Sequence, residues 1–422
     1  MTDLTLPSDW ALQPLGELCA KPEYGLTETA SSERVGPRFL RITDIQGGEV
    51  AWDKVPFCRC SPADLARHRV QRGDLLVARI GGTTGKTFFV RNPPEEAVFA
   101  SYLIRLRPNA VHDRYLYYFC QSRLYWDYIN AGKNERLKGG VNTSSLTQLP
   151  VIVPPPHEQI AISDALENIE SAARNQWAIA AKYTDLKVAT MSKLFHEGMG
   201  KERLKRTEIG QIPESWQLIR LGEIAKVGNG STPNRSNENY WQQGTFPWIT
   251  STKVHEVFIR DGSELVSEIA MRECHLPIVP KGSLVVAITG QGKTLGNTAL
   301  LEIDTCVNQH LAFIQFRDDR PLPEFLLFWL QSQYEALRQV GSAGGSTKGA
   351  LTCGFVSNLL VPMPERDEQT AIASLLLALT KRQQAAEKSA RLVDDLFTAT
   401  LHQLMTGAVR VKDLDTAGVV NA

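Results

Sequence analysis

The chain begins twice. The segment "LPSDWALQPLGELC" at residues 6–19 returns as "IPESWQLIRLGEIA" at 212–225. Pro7, Trp10, Leu12, Leu15, Gly16 and Glu17 are matched by Pro213, Trp216, Leu218, Leu221, Gly222 and Glu223. Further pairs follow in the same order: "RGDLLVARIGGTTGKT" (72–87) with "KGSLVVAITGQGKTLGNT" (281–298), then "LPVIVPPPHEQIAI" (149–162) with "LLVPMPERDEQTAI" (359–372). In the last pair Glu158-Gln159 and Ala161-Ile162 match Glu368-Gln369 and Ala371-Ile372. A duplication of roughly 200 residues restricts the chain to two related halves, each one repeat long.

Each half has two parts. The first, about 150 residues long, is rich in Gly, Pro, aromatic and β-branched residues, in runs such as "LLVAR", "TFFV", "LIRLR" and "LAFIQF". Short alternating or apolar runs between turn formers read as strands. Helical segments such as "DRYLYYFCQSRLYWDYI" and "PEFLLFWLQSQYEAL" are interspersed, so this part is a mixed α/β globule. The second part, 157–197 and 365–406, contains no Gly or Pro. In the second copy Ile372, Leu376, Leu379, Gln383, Ala386, Ala390, Val393, Phe397, Thr400 and Leu404 step alternately by four and three. The first copy places Ile162, Leu166, Ile169, Ala173, Gln176, Ala180, Tyr183, Lys187, Thr190 and Leu194 equivalently. That repeat is a coiled-coil seam. Small residues in mid-seam allow two such helices a close approach, and each rod would run roughly 55–60 Å at 1.5 Å per residue. "PPP" and "PMP" before the rods set where each helix can start.

Several catalytic signatures are approached but not met. "AITGQGKT" (287–294) fits a nucleotide-binding consensus, which needs a strand, the glycine loop and then a helix whose N-terminal amides hold phosphate. Here "LGNTALLEID" follows, a poor helix start, and the duplicate "IGGTTGKTFFV" has Ile80 where the consensus demands Gly or Ala. Both copies read as strand–loop–strand. "NPPE" (92–95) looks like the base-gripping motif of amino-group DNA methyltransferases, yet Glu95 cannot stack on a base and no cofactor loop precedes it; a proline turn fits better. "CRC" with His68, and Cys274-His275, lack zinc-site spacing and do not recur in the other copy. No nucleophile elbow, HExxH or nuclease carboxylate cluster is present, so the chain reads as non-catalytic, with no cofactor and no metal of its own.

Lys plus Arg and Asp plus Glu are both 46, and a chain without net charge is not one that coats nucleic acid indiscriminately. Any reading of DNA must be done by local loops. Seven cysteines without CxxC fit reduced thiols. The start "MTDLTLPSDW" has no basic or apolar signal character, and "ASLLLALT" is far short of the roughly 20 apolar residues of a span. A cytoplasmic location is expected.

Two related globules, each followed by a rod, make a pseudo-two-fold object when the rods pair antiparallel, a layout suited to a two-part DNA site. The stretch "TEIGQIPESWQLIRLGEIAKVGNGSTPNRSNENYWQQGTFPWIT" resembles the start of a target-recognition domain in specificity subunits of type I restriction-modification systems. "LLVPMPERDEQTAIASLL" resembles that family's passage into its helical spacer, and the resemblance covers essentially the whole chain. It implies an α+β fold of two pseudo-symmetric target-recognition domains joined by two long antiparallel coiled-coil helices. The expected boundaries are 1–156 and 206–364 for the recognition domains, 157–205 and 365–407 for the spacers, and 408–422 for a tail. The resemblance also implies a non-catalytic subunit. Each of its domains reads half of an interrupted double-stranded target. Two modification subunits dock on it and methylate adenine with S-adenosylmethionine. Restriction subunits then join them and cleave DNA using ATP and Mg. The first copy departs from the pattern, with "GLTETASSERVGPRFLRITDI" where the second has "GNGSTPNRSNENYW" and "FPWIT".

Loops carrying Gly, hydroxyl, amide and basic residues can approach phosphates and base edges. In the first copy the candidates are Arg41, Thr43, Arg79, Thr83, Thr84, Lys86, Lys138 and Asn142. In the second they are Ser231, Thr232, Asn234, Ser251, Lys253, Gln291, Lys293, Ser346 and Lys348. Lys86 and Lys293 stand out because both lie on the duplicated loop. Two other classes fit parts of the chain: a repeat-built nucleotide hydrolase, if "GQGKT" cradles phosphate, and a protein scaffold without a DNA role, which zero net charge suits.

Overall fold

The apolar runs of each copy form sheets and the Gly- and Pro-free stretches form helices in the computed structural model of the chain, which describes residues 6–134, 140–200, 202–290, 293–342 and 350–414. The fold is α+β. Two units are distinguished: Met1–Gln176 with Lys388–Ala422, and Trp177–Glu387. The long helices Pro156–Glu197 and Arg366–Thr406 each contribute one stretch to each unit.

In the first unit a four-stranded antiparallel sheet runs in the order Cys19–Tyr24, Leu103–Pro108, Leu75–Ala78, Thr87–Phe89. Arg38–Leu40 pairs in parallel with Ala97–Phe99 beside it. Ala11–Pro14 pairs with Pro150–Val153, which ties the chain's start to the strand that precedes the first rod. The second unit repeats this plan. Its sheet runs Ala225–Asn229, Leu311–Phe316, Leu284–Ala287, Thr298–Leu301, Phe258–Ile259, and Gln217–Arg220 pairs with Leu360–Met363. The segment expected as one helix after Asp113 is two, Asp113–Phe119 and Arg123–Asn134. Amides of Gln121 and Ser122 turn back to the carbonyls of Tyr118 and Phe119 and break the register. Pro323–Ser332 and Tyr334–Ser342 divide in the same way.

Helix pairing is visible inside each unit. In the first, Ile162 and Leu166 near the start of the first rod share a buried cluster with Leu401, Leu404 and Met405 near the end of the second. In the second, Met191, Leu194 and Phe195 near the first rod's end pack with Ile372, Ala373 and Leu376 near the other's start. Both pairings are antiparallel. The mid-seam alanines Ala173, Ala180, Ala386 and Ala390 are all buried. Tyr115, Tyr118 and Phe119 of the globule join the first cluster, and Phe325 and Phe328 the second, so each rod start is built into its own globule's core.

The repeated Trp, Glu and Gln now acquire a reason. The Trp10 indole N–H donates to Glu158 Oε2 at 3.0 Å, and Trp216 donates to Glu368 Oε2 at 2.9 Å. Gln159 accepts from the His112 amide (2.8 Å) and donates to the Pro154 carbonyl (2.8 Å). Gln369 accepts from the Leu322 amide (2.7 Å) and donates to the Pro364 carbonyl (2.9 Å). Both glutamines are buried, at 3% and 1% exposure, and the proline carbonyls they satisfy lie just outside the helices. Each neutral glutamine bond contributes about 0.5–1.5 kcal/mol and each indole–carboxylate bond about 1.5–3 kcal/mol, whereas every one of the many buried Leu and Phe side chains contributes about 1.5–3 kcal/mol. Apolar burial therefore holds the rod start on its globule, and the polar latch fixes its angle.

Candidate nucleic-acid interface

Five segments meet at one end of the sheet in each unit, joined by backbone hydrogen bonds of matching pattern. In the first unit the Ala78–Lys86 loop connects the antiparallel strands Leu75–Ala78 and Thr87–Phe89. The Arg79 amide donates to the Tyr102 carbonyl (2.9 Å), and the Val141 amide donates to the Arg79 carbonyl (2.9 Å). The Ser101 amide reaches Leu26 (2.9 Å), and the Ala100 amide reaches Leu40 (2.9 Å), just before the turn that holds Arg41 and Thr43. The second unit repeats the frame. Ile288 donates to His310 (3.0 Å), Leu351 to Ile288 (2.7 Å) and Asn308 to Ile249 (3.1 Å). Gly25 and Gly230 allow the remaining segment to pass. A Cβ would lie 2.3 Å from the Phe99 carbonyl oxygen in one unit and 1.7 Å from that of Val307 in the other, so only glycine fits.

The duplicated loops are not superposable residue for residue. Gly85 and Gly296 both donate to the carbonyl of the strand's last alanine, Ala78 or Ala287, at 2.8 and 2.9 Å, and both have φ near +90°. The next residues, Lys86 and Asn297, both return a carbonyl to that alanine's amide. Lys86 therefore corresponds to Asn297. Lys293 stands earlier in a loop that is two residues longer. Its carbonyl accepts from the Tyr334 hydroxyl (2.9 Å) and from the Asn297 side chain. After Thr294 the chain turns at Gly296 and enters the strand Thr298–Leu301, antiparallel to Leu284–Ala287. The helix that a phosphate cradle requires is replaced there by a strand.

The remaining candidates divide by their surroundings. Thr43, Lys86 and Lys293 are exposed. The Arg79 guanidinium lies 4.7 Å from the centre of the Tyr24 ring. Thr83 is half-buried, while Thr84 is buried and its hydroxyl donates to the Gly81 carbonyl at 2.7 Å. Asn142 caps the short helix Thr143–Thr147 by accepting from the Ser145 amide at 2.8 Å. Arg41 is held by Asp44 at 2.7 Å, a hydrogen bond that raises its already high pKa and occupies its charge. Lys253 is similarly raised by hydrogen bonds to Asp261 and Glu256, the latter at 2.7 Å. Ser231 donates to the Cys274 carbonyl (3.4 Å), and Asn234 accepts from the Ser236 amide (3.1 Å) in a side-chain-closed turn. Ser251 opens the turn that carries Lys253. Lys138, Gln291, Ser346 and Lys348 lie outside the described residues.

Sequence reasoning passed over the turn where the segments cross. Its occupants are Ser101 and Tyr102 in one unit and Gln309 and His310 in the other. Tyr102 is 55% exposed, and Gln309 and His310 are also exposed. Thr232 donates to Gln309 Oε1 at 2.6 Å, Gln309 Nε2 lies 3.3 Å from His310 Nε2, and His310 Nδ1 lies 2.5 Å from Thr289 Oγ1. His255 Nε2 is 3.3 Å from Thr294 Oγ1. The turn contains no glycine and one basic side chain at most, so a search for Gly- and Lys-rich loops misses it. The available signal was "ASYLIR" set against "NQHLAF", a change of side chains between matched flanks. Among the described residues no three His, Cys, Asp or Glu side chains converge to hold a metal. Burial pushes the Cys58 thiol up to about 12.

Comparison with known proteins places this geometry. A family model described as "Type I restriction modification DNA specificity domain" matches residues 62–179 and 213–392. The protein described as the MjaX specificity subunit of a type I restriction enzyme, from Methanocaldococcus jannaschii, is 24% identical over 422 residues, covering 96% of this chain and 95% of that one. The MjaVIII specificity subunit from the same organism is 22% identical over 356 residues, covering 82% and 81%. Among solved structures, the type I restriction-modification S subunit from M. genitalium aligns with a TM-score of 0.59 at 15% identity, over 96% of this chain and 97% of that one.

Proposed function

The chain belongs to the family of type I restriction-modification DNA specificity subunits, and from that membership we propose that its two loop clusters each read one half of a two-part double-stranded target. It is a DNA sequence-specificity subunit, and members of this family are in general non-catalytic. The observation that carries the division of labour is the duplicated frame. The same backbone bonds and the same obligatory glycine recur in both units, while the exposed side chains on the frame differ. One frame with two sets of outward groups is what reading two different half-sequences requires.

In this reading Lys86 and Lys293 contact phosphate, and Thr43, Arg79, Thr83, Thr232, Asn234 and Ser251 line the approach to the bases. Arg41 and Lys253, already paired with acids, shape their turns and contribute less to binding. Thr84, Asn142 and Ser231 support loop conformation through the bonds described above. The chain works with two modification subunits, which bring S-adenosylmethionine and methylate adenine. Restriction subunits add ATP- and Mg-dependent cleavage. Among the described residues no helix is long and apolar enough to cross a membrane, and the assembly acts on DNA in the cytoplasm. Replacing residues 1–150 by a relative's equivalent tests the modular reading. The methylation motif of the resulting complex should change in one half only. A motif altered in both halves would mean that the clusters do not read independently.

A further inference from the structure

We infer that Gln309 recognises the major-groove edge of an adenine, with Thr232, His310 and Thr289 as the residues that fix its amide. The inference rests on the reading of the second unit as a DNA-half reader and assigns one base contact within it. Three observations combine. Gln309 stands exposed on the turn where the loops of the second unit cross, beside the Ile288–His310 and Asn308–Ile249 backbone bonds. The amide is not free to rotate: Thr232 donates to Oε1 at 2.6 Å, and Nε2 faces His310 Nε2 at 3.3 Å. On the same backbone turn the first unit carries Ser101, a hydroxyl that cannot make a two-point amide contact.

Proton placement along the chain follows from what each atom can do. The Thr232 hydroxyl hydrogen goes to Gln309 Oε1. One Nε2 hydrogen goes to His310 Nε2, which is then an acceptor, so the imidazole carries its hydrogen on Nδ1. That hydrogen goes to Thr289 Oγ1 at 2.5 Å. Two groups on the amide remain for a ligand: the second Nε2 hydrogen and the second lone pair of Oε1. On the edge where Oε1 and Nε2 adjoin, an amide offers one acceptor and one donor, the match to the N6 amino group and N7 of adenine and the two-point pairing open to a glutamine in the major groove. Guanine presents two acceptors there and cytosine a single donor, so neither satisfies both groups. Fixing the amide beforehand removes rotamer freedom that would otherwise be lost on binding. Thr232, His310 and Thr289 are positioning residues; Gln309 alone touches the base.

The test uses the chain assembled with a modification subunit and a pool of duplexes randomised across the target, sequenced before and after retention. The wild-type complex should prefer A·T at one position of one half by roughly 5- to 150-fold, the discrimination of a two-point amide contact. Gln309→Ala should cut that preference below about threefold at that position and leave every other position unchanged. Gln309→Glu, which matches the size and cannot donate to N7, should lose the A·T preference equally; it decides the matter if the alanine variant fails to fold. Thr232→Val should weaken the same position partially, a shift that a merely structural role would spread over the whole half. Unchanged preferences in the Gln309 variants, or relaxation at a G·C position, would overturn the assignment. A wild-type complex that retains no sequence selectively would instead overturn the reading on which it rests.

Discussion

Lys187 is a buried ammonium in the coiled-coil seam, and replacing it should stabilise the protein. Its side chain is 9% exposed, with Nζ 3.3 Å from Gln331 Oε1 and 5.3 Å from the centre of the Phe328 ring. Burial pulls the ammonium down from 10.5 to about 8, against the opposing pull of Glu387. A folded-state pKa below the unfolded one means that the unfolded chain holds more protons between pH 8 and 10.5. Stability then rises with pH across that window, by about 1.4 kcal/mol per unit and about 3 kcal/mol in all. Below pH 8 the full penalty is present. Lys187→Met keeps the length of the side chain and removes the charge; it leaves Gln331 Oε1 short of one donor, at about 1 kcal/mol. The seam tolerates an apolar group here, since the equivalent position of the second rod is Phe397, whose ring lies 6.1 Å from that of Tyr118. The variant should therefore be about 2 kcal/mol more stable than the native chain at pH 7.5. By pH 9.5 the native chain regains about 2 kcal/mol and the two should be equal. Urea midpoints and slopes at pH 7.5, 8.5 and 9.5 measure this, and other groups titrating in the window cancel in the difference. An advantage that does not change with pH, or a variant less stable at pH 7.5, would refute the argument.

Gln369→Ala should destabilise the second unit by about 2–4 kcal/mol, because it strips partners from the partly buried Leu322 amide and the buried Pro364 carbonyl together; a urea midpoint unchanged from native would show that the latch is ornamental. Lys293→Ala should weaken DNA binding by the assembled complex and flatten the plot of log affinity against log salt by about one unit. Loss of ATP binding by the isolated Lys293→Ala chain, with DNA affinity intact, would restore the nucleotide reading of its loop. The purified chain alone should transfer no methyl group from labelled S-adenosylmethionine to DNA, and label appearing in the DNA without partners would place a catalytic centre here.

Sequence alone determined the duplication, the rods and the split of each half into globule and helix. These are patterns along the chain: matched order, heptad steps, and the presence or absence of Gly and Pro. Physical rules about local conformation act directly on them. Even the latch was legible as a pattern, since Trp10, Glu158 and Gln159 return as Trp216, Glu368 and Gln369. What the latch does was not, because indole and carboxylate come from positions about 150 residues apart and meet only once the globule closes. The reading surface depends still more on tertiary structure. Lys86 and Lys293 look alike in sequence, yet backbone bonding pairs Lys86 with Asn297, because two extra residues in the second loop shift its lysine away from the closing turn. Arg41 and Lys253 look like free cations as residue types, yet each is paired with an acid three residues on, Asp44 and Glu256, a local contact made by the turn that carries it. Gln309 and His310 carry no motif of their own and differ from the first copy only by comparison; their place at the crossing is set by the hydrogen bonds that join Ile288 to His310 and Asn308 to Ile249. Local chemistry fixes what an element is, and only the closing of distant backbone bonds fixes which side chains end up facing the same groove.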